Sequence, residues 1–428
     1  IRLLLTHSEG FPEDNPWGDR QLARGDATMS DWMRAGIPFS TTPGTAYEYS
    51  NYGFAILGQI VQRVAKRPYA DYVRDNILRP LGMNATTYFV NEVPPERMAK
   101  GYRWDGKTWL EEPALPHGAF GAMGGLWTTP RDLARYVGFL LSAFPPRDDP
   151  ERGPIRRASA REMQQAWRSA GPAWAARDTL EGPLQLSVNA YGYGLRISQD
   201  CRFAYIVQHG GGLPGYGSLE RWLPDYGVGI IAFGNVTYAG FSSLFDEALT
   251  AMLATGALER RAPRPSPALL QAKDDVTSLI RHWDEALAHR IAADNLFLDQ
   301  SEPVRKAELQ ELTQKHGACR AAATIDADNA LRGTWEMPCD RGSLQVRITL
   351  APTMPPKVQF FAVRSILAPS EESRKAIEAQ MPSGCSIGRA LSETSVRLDC
   401  RNGALVARLS GAQVTFAPLR DADHRCAP

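Results

Sequence analysis

The chain has 428 residues, 43% of them hydrophobic and 22% charged, with a formal net charge of +1. This length suggests two domains, and the composition is that of a globular protein. The near-zero charge supplies no bulk attraction to nucleic acid or anionic lipid, and no run of about 18 apolar residues occurs that could span a membrane.

Taken in order, Ile1-Arg2-Leu3-Leu4-Leu5-Thr6-His7 reads as the start of a helix and lacks the stages of a signal peptide. Because the first residue is not Met, further residues are expected before it in the gene product. Residues 40–46 are a loop by composition. Tyr49-Ser50-Asn51 then opens a helix in which Phe54, Leu57, Ile60, Val61 and Val64 recur at helical spacing, ending near Lys66-Arg67-Pro68. Tyr69 to Leu78 reads as a second helix. Residues 88–120 read as short strands and loops. Thr129 is a candidate N-cap, with Pro130 at the first helical position, for a helix through Leu133, Tyr136, Val137 and Leu140. Residues 144–180 read as irregular.

From Gly192 the period becomes that of strands. Phe203 to Val207 leads into His209-Gly210-Gly211-Gly212. Ser218–Leu223 and Val228–Phe233 flank the turn Pro224-Asp225-Tyr226-Gly227, a hairpin signal, and Phe241–Leu253 reads as a helix packed on that sheet. The basic, proline-rich residues 259–267 mark a linker between a domain over 1–258 and another over 268–428. In the second, a helical run carries Leu269, Val276, Ile280, Trp283 and Leu287, and a further helix covers 302–316. Strands follow at 343–350, 357–363, 395–398, 404–409 and 414–417, predicting an α+β domain with one mostly antiparallel sheet.

Five of the six cysteines lie after residue 318, and none forms a C-x-x-C pair, so a zinc site is not indicated. Cys319 with Cys339 and Cys385 with Cys400 are the short-loop disulfide pairs expected in an oxidising compartment; buried free thiols are the other reading.

Five blocks in order carry a resemblance. Leu3-Leu4-Leu5-Thr6-His7-Ser8-Glu9-Gly10, the stretch Phe39–Gly58 with Tyr49-Ser50-Asn51, Pro80-Leu81-Gly82-Met83, Gly124-Gly125-Leu126-Trp127-Thr128-Thr129 and His209-Gly210-Gly211-Gly212 resemble class C β-lactamase-like, penicillin-recognising serine hydrolases. That family includes β-lactamases, D,D-peptidases, D-aminopeptidases and carboxylesterases. The resemblance covers roughly residues 1–255. It implies a β-lactamase/transpeptidase-like α/β (α+β) fold: an antiparallel sheet flanked by helices, plus a helical subdomain, with a second, smaller α+β domain beyond.

Acyl transfer requires an activated hydroxyl, a proton acceptor and an oxyanion hole. The resemblance implies that Tyr49 is the general base, once a nearby cation lowers its phenol from a pKa near 10. It implies that Asn51 hydrogen-bonds substrate or a lysine, and that Gly212 offers a backbone N–H to the oxyanion hole. Gly210 and Gly211 would let substrate approach the backbone of an edge strand, with His209 on the leaving-group side. His209 stands where β-lactamases carry Lys; an imidazole mostly neutral at pH 7 moves the expectation toward esterase, amidase or D-aminopeptidase substrates. Trp127, Tyr216, Tyr191 and Tyr193 are candidate cleft walls, and His7 a brace for a helix N-terminus.

The family's nucleophile motif, Ser-x-x-Lys, does not occur in the 428 residues. In the family it lies several tens of residues upstream of the Leu-Leu-Thr-His block, so it is expected before Ile1, leaving the chain as it stands inactive. The expected protein is a periplasmic or secreted serine hydrolase, its signal peptide also upstream. It would act on small esters, amides or D-amino-acid peptides, without cofactor, metal or nucleic acid, and could form a homo-oligomer. A non-catalytic peptidoglycan- or peptide-binding relative and a true β-lactamase are the alternatives. Residues 268–428 resemble, more faintly, NTF2-like cone-shaped accessory domains; a lipocalin-like barrel competes, although the leading helices argue against it.

Overall fold

The computed structural model describes residues 1–147, 149–176, 184–256, 258–261, 263–400 and 403–418. The chain forms two compact units that divide near Arg261. Cys426 lies outside the described residues.

The centre of the first unit is a six-stranded antiparallel sheet in chain order: Arg168–Ala176, Leu184–Tyr191, Arg196–Asp200, Ile206–Leu213, Tyr216–Leu223 and Val228–Gly234. Side chains alternate across a strand, so neighbours serve opposite faces. Val207 and Trp222 join Ile197, Val137 and Leu140 beneath the helix Pro130–Leu141. Ile206 and Leu223 join Phe203 and Leu249 beneath the helix Ser242–Ala254. Thr129 caps the former helix, its Oγ1 accepting the Asp132 N–H at 3.2 Å.

Residues 144–180 were expected to be irregular. Their described part instead holds the helix Arg157–Met163 and the strand Arg168–Ala176. Gly171 and Pro172 hide that strand; an edge position tolerates them because one side of the backbone needs no partner. The hairpin Tyr216–Leu223 with Val228–Gly234 forms as read, Gly227 taking φ +71° in its turn.

Beside the sheet lies the helical part. The helix Asn51–Ala65 packs Tyr52 and Ala55 against Phe11, Met29 and Phe120. Met29 belongs to a helix Asp26–Ala35 that was not among the elements expected from the sequence. Ala70, Val73, Leu78, Met83 and Tyr88 form a smaller core alongside.

The second unit departs from the single sheet expected. Its first sheet runs Val358–Ile366, Gly342–Leu350, Arg332–Cys339, Asp326–Asn329, under the helices Pro267–Arg281, Glu285–Ile291 and Glu302–His316. Its second holds Cys385–Ser392, Ser395–Cys400, Gly403–Ser410 and Gln413–Pro418, with its own core around Ile377, Leu398 and Ala407 under the helix Glu371–Gln380. The helical run read through Leu287 breaks after Arg281. Asp284 starts a new helix by accepting the Leu287 N–H at 2.9 Å. Cys319 is bonded to Cys339 and Cys385 to Cys400, the pairs expected from the sequence, and no cysteine is free among the described residues. No described helix is long and apolar enough to cross a membrane.

Leu140 is wholly buried between its helix and the sheet. Leu140→Ala should cost about 2–5 kcal/mol, read as a lowered denaturation midpoint with unchanged slope.

Candidate active site

The second-motif segment reaches the sheet through a helix start with three caps. Ser50 Oγ accepts the Gly53 N–H at 3.2 Å. Asp14 accepts the N–H groups of Asn51 and Tyr52 at 2.7 and 2.8 Å. His7 Nδ1 accepts the Ser50 N–H at 3.0 Å. The donors left unpaired at a helix N-terminus are thereby met, and Asp14 is also placed favourably against the helix dipole.

These bonds aim Tyr49 toward the sheet. Its ring centroid lies 4.2 Å from that of His7 and 6.3 Å from that of His209. Tyr191 completes the junction: its ring sits 4.6 Å from His7, and its hydroxyl meets His209 Nε2 at 2.8 Å. Two of the sequence candidates, Tyr49 and His209, thus converge, with His7 and Tyr191 between them.

Asn51 is 3% exposed and donates from Nδ2 to Asn15 Oδ1 at 3.1 Å. Trp127 and Tyr216 meet edge to face at 5.5 Å, and the Tyr216 hydroxyl donates to the Ala99 carbonyl at 2.8 Å. Tyr193 stacks on Trp167 and takes a hydrogen bond from Arg2.

The third motif lies on an interior strand, not an edge strand. The difference is resolved by register. Pairing to Arg196–Asp200 runs from Ile206 to Gln208, whereas pairing to Tyr216–Leu223 continues to Leu213. His209–Leu213 therefore overhangs, and the glycine segment is a local edge. In a ladder, alternate backbone groups point to opposite sides, so part of this segment's N–H and C=O groups face the open side. Gly210 and Gly211 are exposed. The Tyr238 ring lies directly against Gly212, where a Cβ would collide with it, and its hydroxyl donates to Asp19 Oδ2 at 2.6 Å.

The electrostatics favour neutral groups. Burial, then the positive charge of Arg196, depresses the His209 imidazole to about 4. His7 is held well below its ordinary value by burial, His209 and Arg196. Burial pushes Glu220, directly across the ladder from His209, up to about 8. Both members of that cross-strand pair are thus uncharged near pH 7 and form no ion pair. Burial also raises the Tyr49 phenol, and Arg196 only partly opposes it. Tyr49 is here a neutral phenol that needs a further cation before it can accept a proton.

Sequence reasoning missed Arg196, Glu9, Asp14 and Tyr238. Nothing local marks Asp14, in a charged loop, as the cap of a helix 37 residues later. Among the described residues no group of three His, Cys, Asp or Glu side chains could hold a metal.

The Beta-lactamase family profile matches residues 1–254, and the chain belongs to that family. Penicillin-binding protein 4* of Bacillus subtilis is 25% identical over 246 residues, covering 55% of this chain and 51% of that protein. The chain spans about half the length of this curated relative. Among solved structures, the D-amino acid amidase of Ochrobactrum anthropi in complex with D-phenylalanine aligns with TM-score 0.43 and 23% identity, over 59% of this chain and 70% of that one. The octameric penicillin-binding protein homologue of Pyrococcus abyssi aligns with TM-score 0.47 and 18% identity, over 98% and 76%.

Glu9 supplies a test of the site's electrostatics. It is 5% exposed, and burial raises it to about 7, partly opposed by the backbone N–H groups of Ser8 and Glu9 itself. Its contribution to stability is full below its ordinary value near 4.5 and is lost as pH rises through 7, by up to about 3 kcal/mol. Urea denaturation from pH 4 to pH 8 should show Glu9→Gln gaining stability relative to the wild type as pH rises. A pH-independent difference would contradict the burial argument.

Proposed function

We propose that this chain carries part of the acyl-transfer site of a serine hydrolase acting on esters or amides, D-amino-acid peptides included. The nucleophile would be the serine of a Ser-x-x-Lys motif outside the 428 residues. The observation that carries the reading is the junction of Tyr49, His7, Tyr191 and His209, which brings the second and third motifs together. A lysine ammonium beside Tyr49 would oppose the effect of burial and let the phenol take the serine proton. Asn51 would turn from Asn15 to that lysine or to substrate. Gly212 would give a backbone N–H to the oxyanion, with Tyr238 moving off it, and Gly210 and Gly211 would admit the substrate backbone. Trp127 and Tyr216 would wall the cleft.

The neutral His209 supports esterase, amidase or aminopeptidase chemistry over that of a β-lactamase, because it offers no fixed cation from the third motif. The disulfides support a periplasmic or secreted location. Residues 268–428 would serve as an accessory domain.

The test is covalent labelling. A fluorophosphonate should leave every serine of the 428-residue chain unlabelled and should label a longer chain at the Ser of Ser-x-x-Lys. Tyr49→Phe should slow labelling of that longer chain by about 10²–10⁴-fold. Labelling of any serine within residues 1–428 would show that the nucleophile has been misplaced. A longer chain without the motif that binds peptides but takes no label would favour the non-catalytic relative.

A further inference from the structure

In the second unit, the first sheet has an edge that is broken in its middle. At one end of the strand Arg332–Cys339, Thr334 pairs with Asp326. At the other end Cys339 pairs with Cys319, and the Pro338 carbonyl accepts the Arg320 N–H at 2.8 Å. Between these points the chain from Cys319 to Asp326 is two residues longer than the strand it spans, and it arches away. Ala322 and Ile325 pack the arch against the core, while Ala321, Ala323 and Thr324 are exposed.

The break leaves main-chain groups without partners. Backbone groups along a strand point alternately to its two sides, so the N–H and C=O of Glu336 point the same way as the Pro338 carbonyl, into the gap. Among the described residues neither has a backbone partner there, and the main-chain groups of Ala321, Ala322, Ala323 and Thr324 on the other side have none. The gap opens on a cavity of about 360 Å³, toward the small end of ligand pockets. Thr334 and Gln345 also line it, and their side chains make no hydrogen bond among the described residues. Arg389, from the second sheet, forms a further wall and donates to the Glu336 carboxylate at 3.3 Å.

An unpaired stretch of strand edge is a template for another chain. An extended peptide carries a donor and an acceptor at each residue and needs partners on both of its sides. This gap offers them on both: Glu336 on one, the arch on the other, with the Gln345 amide as a further donor and acceptor. Water meets these groups in the free chain, and a peptide main chain would replace it in the manner of strand addition.

We propose that this gap is a binding slot for a short extended peptide segment, which joins the sheet between Glu336 and the arch Ala321–Thr324. The slot is independent of the reading given to the first unit and gives the second a binding function of its own.

The test is amide exchange in the 428-residue chain, read at single residues so that binding at the glycine edge of the first unit does not enter. In the free chain the Glu336 N–H should exchange much faster than those of Trp335 and Met337, which pair with Val346 and Leu344. A tri-alanine peptide, acetylated and amidated, should slow Glu336 about tenfold at about ten times the dissociation constant read from the Glu336 signal, and leave Trp335 and Met337 unchanged. The same peptide N-methylated at every residue keeps its side chains but loses its backbone donors, and it should bind at least about tenfold more weakly. A Glu336 amide as slow as its neighbours in the free chain would show that the ladder is closed. No slowing by millimolar peptide, or equal binding of the methylated form, would show that no peptide main chain is recognised. Each of these results overturns the proposal.

Discussion

A neutral imidazole at His7 is the constraint on which the rest of the site depends. Nδ1 accepts the Ser50 N–H, so in the neutral ring the proton sits on Nε2, which has no hydrogen-bond partner and is buried. Three aromatic rings, those of Tyr49, Phe54 and Tyr191, lie within 5 Å of the imidazole centroid. Protonation at Nδ1 would break the bond that fixes the start of the Asn51–Ala65 helix and place a charge among those rings, at a cost of several kcal/mol. The helix start, the orientation of Tyr49 and the contact between the helical part and the sheet thus share one proton state.

The site that follows is unusual in its charge. His209, Glu220 and Tyr49 are all driven by burial toward their neutral forms. Neutral partners serve proton transfer well when a single added charge tips the balance, because each then responds to the same field. Arg196 opposes the effect of burial at Tyr49 only in part. A lysine beside Tyr49 would do so from inside.

What could be read from the sequence was what local chemistry decides. Thr129 and Ser50 cap helices because their hydroxyls reach an N–H three residues on. The turn at Pro224–Gly227 forms because Gly227 accepts a positive φ. The fold of the first 254 residues was legible because five short blocks fall in family order. What was hidden depends on distant partners. Asp14 caps a helix far along the chain, and the strand Arg168–Ala176 is stabilised by its neighbour in the sheet despite Gly171 and Pro172. The two sheets of the second unit were read as one because alternation marks a strand, not its sheet. Tyr49 and His209 could be picked out by motif, but that Tyr191 joins them, and that Arg196 stands beside them, follows only from register and packing.

The central claim is that His7 and His209 are locked neutral between the two motifs. Histidine-labelled nitrogen spectra recorded from pH 8 down to pH 4 test it most directly. His209 should stay neutral until about pH 4, and His7 should keep its proton on Nε2 well below pH 6.5. If both rings titrate near 6.5, the junction is solvated and open, and the account is wrong.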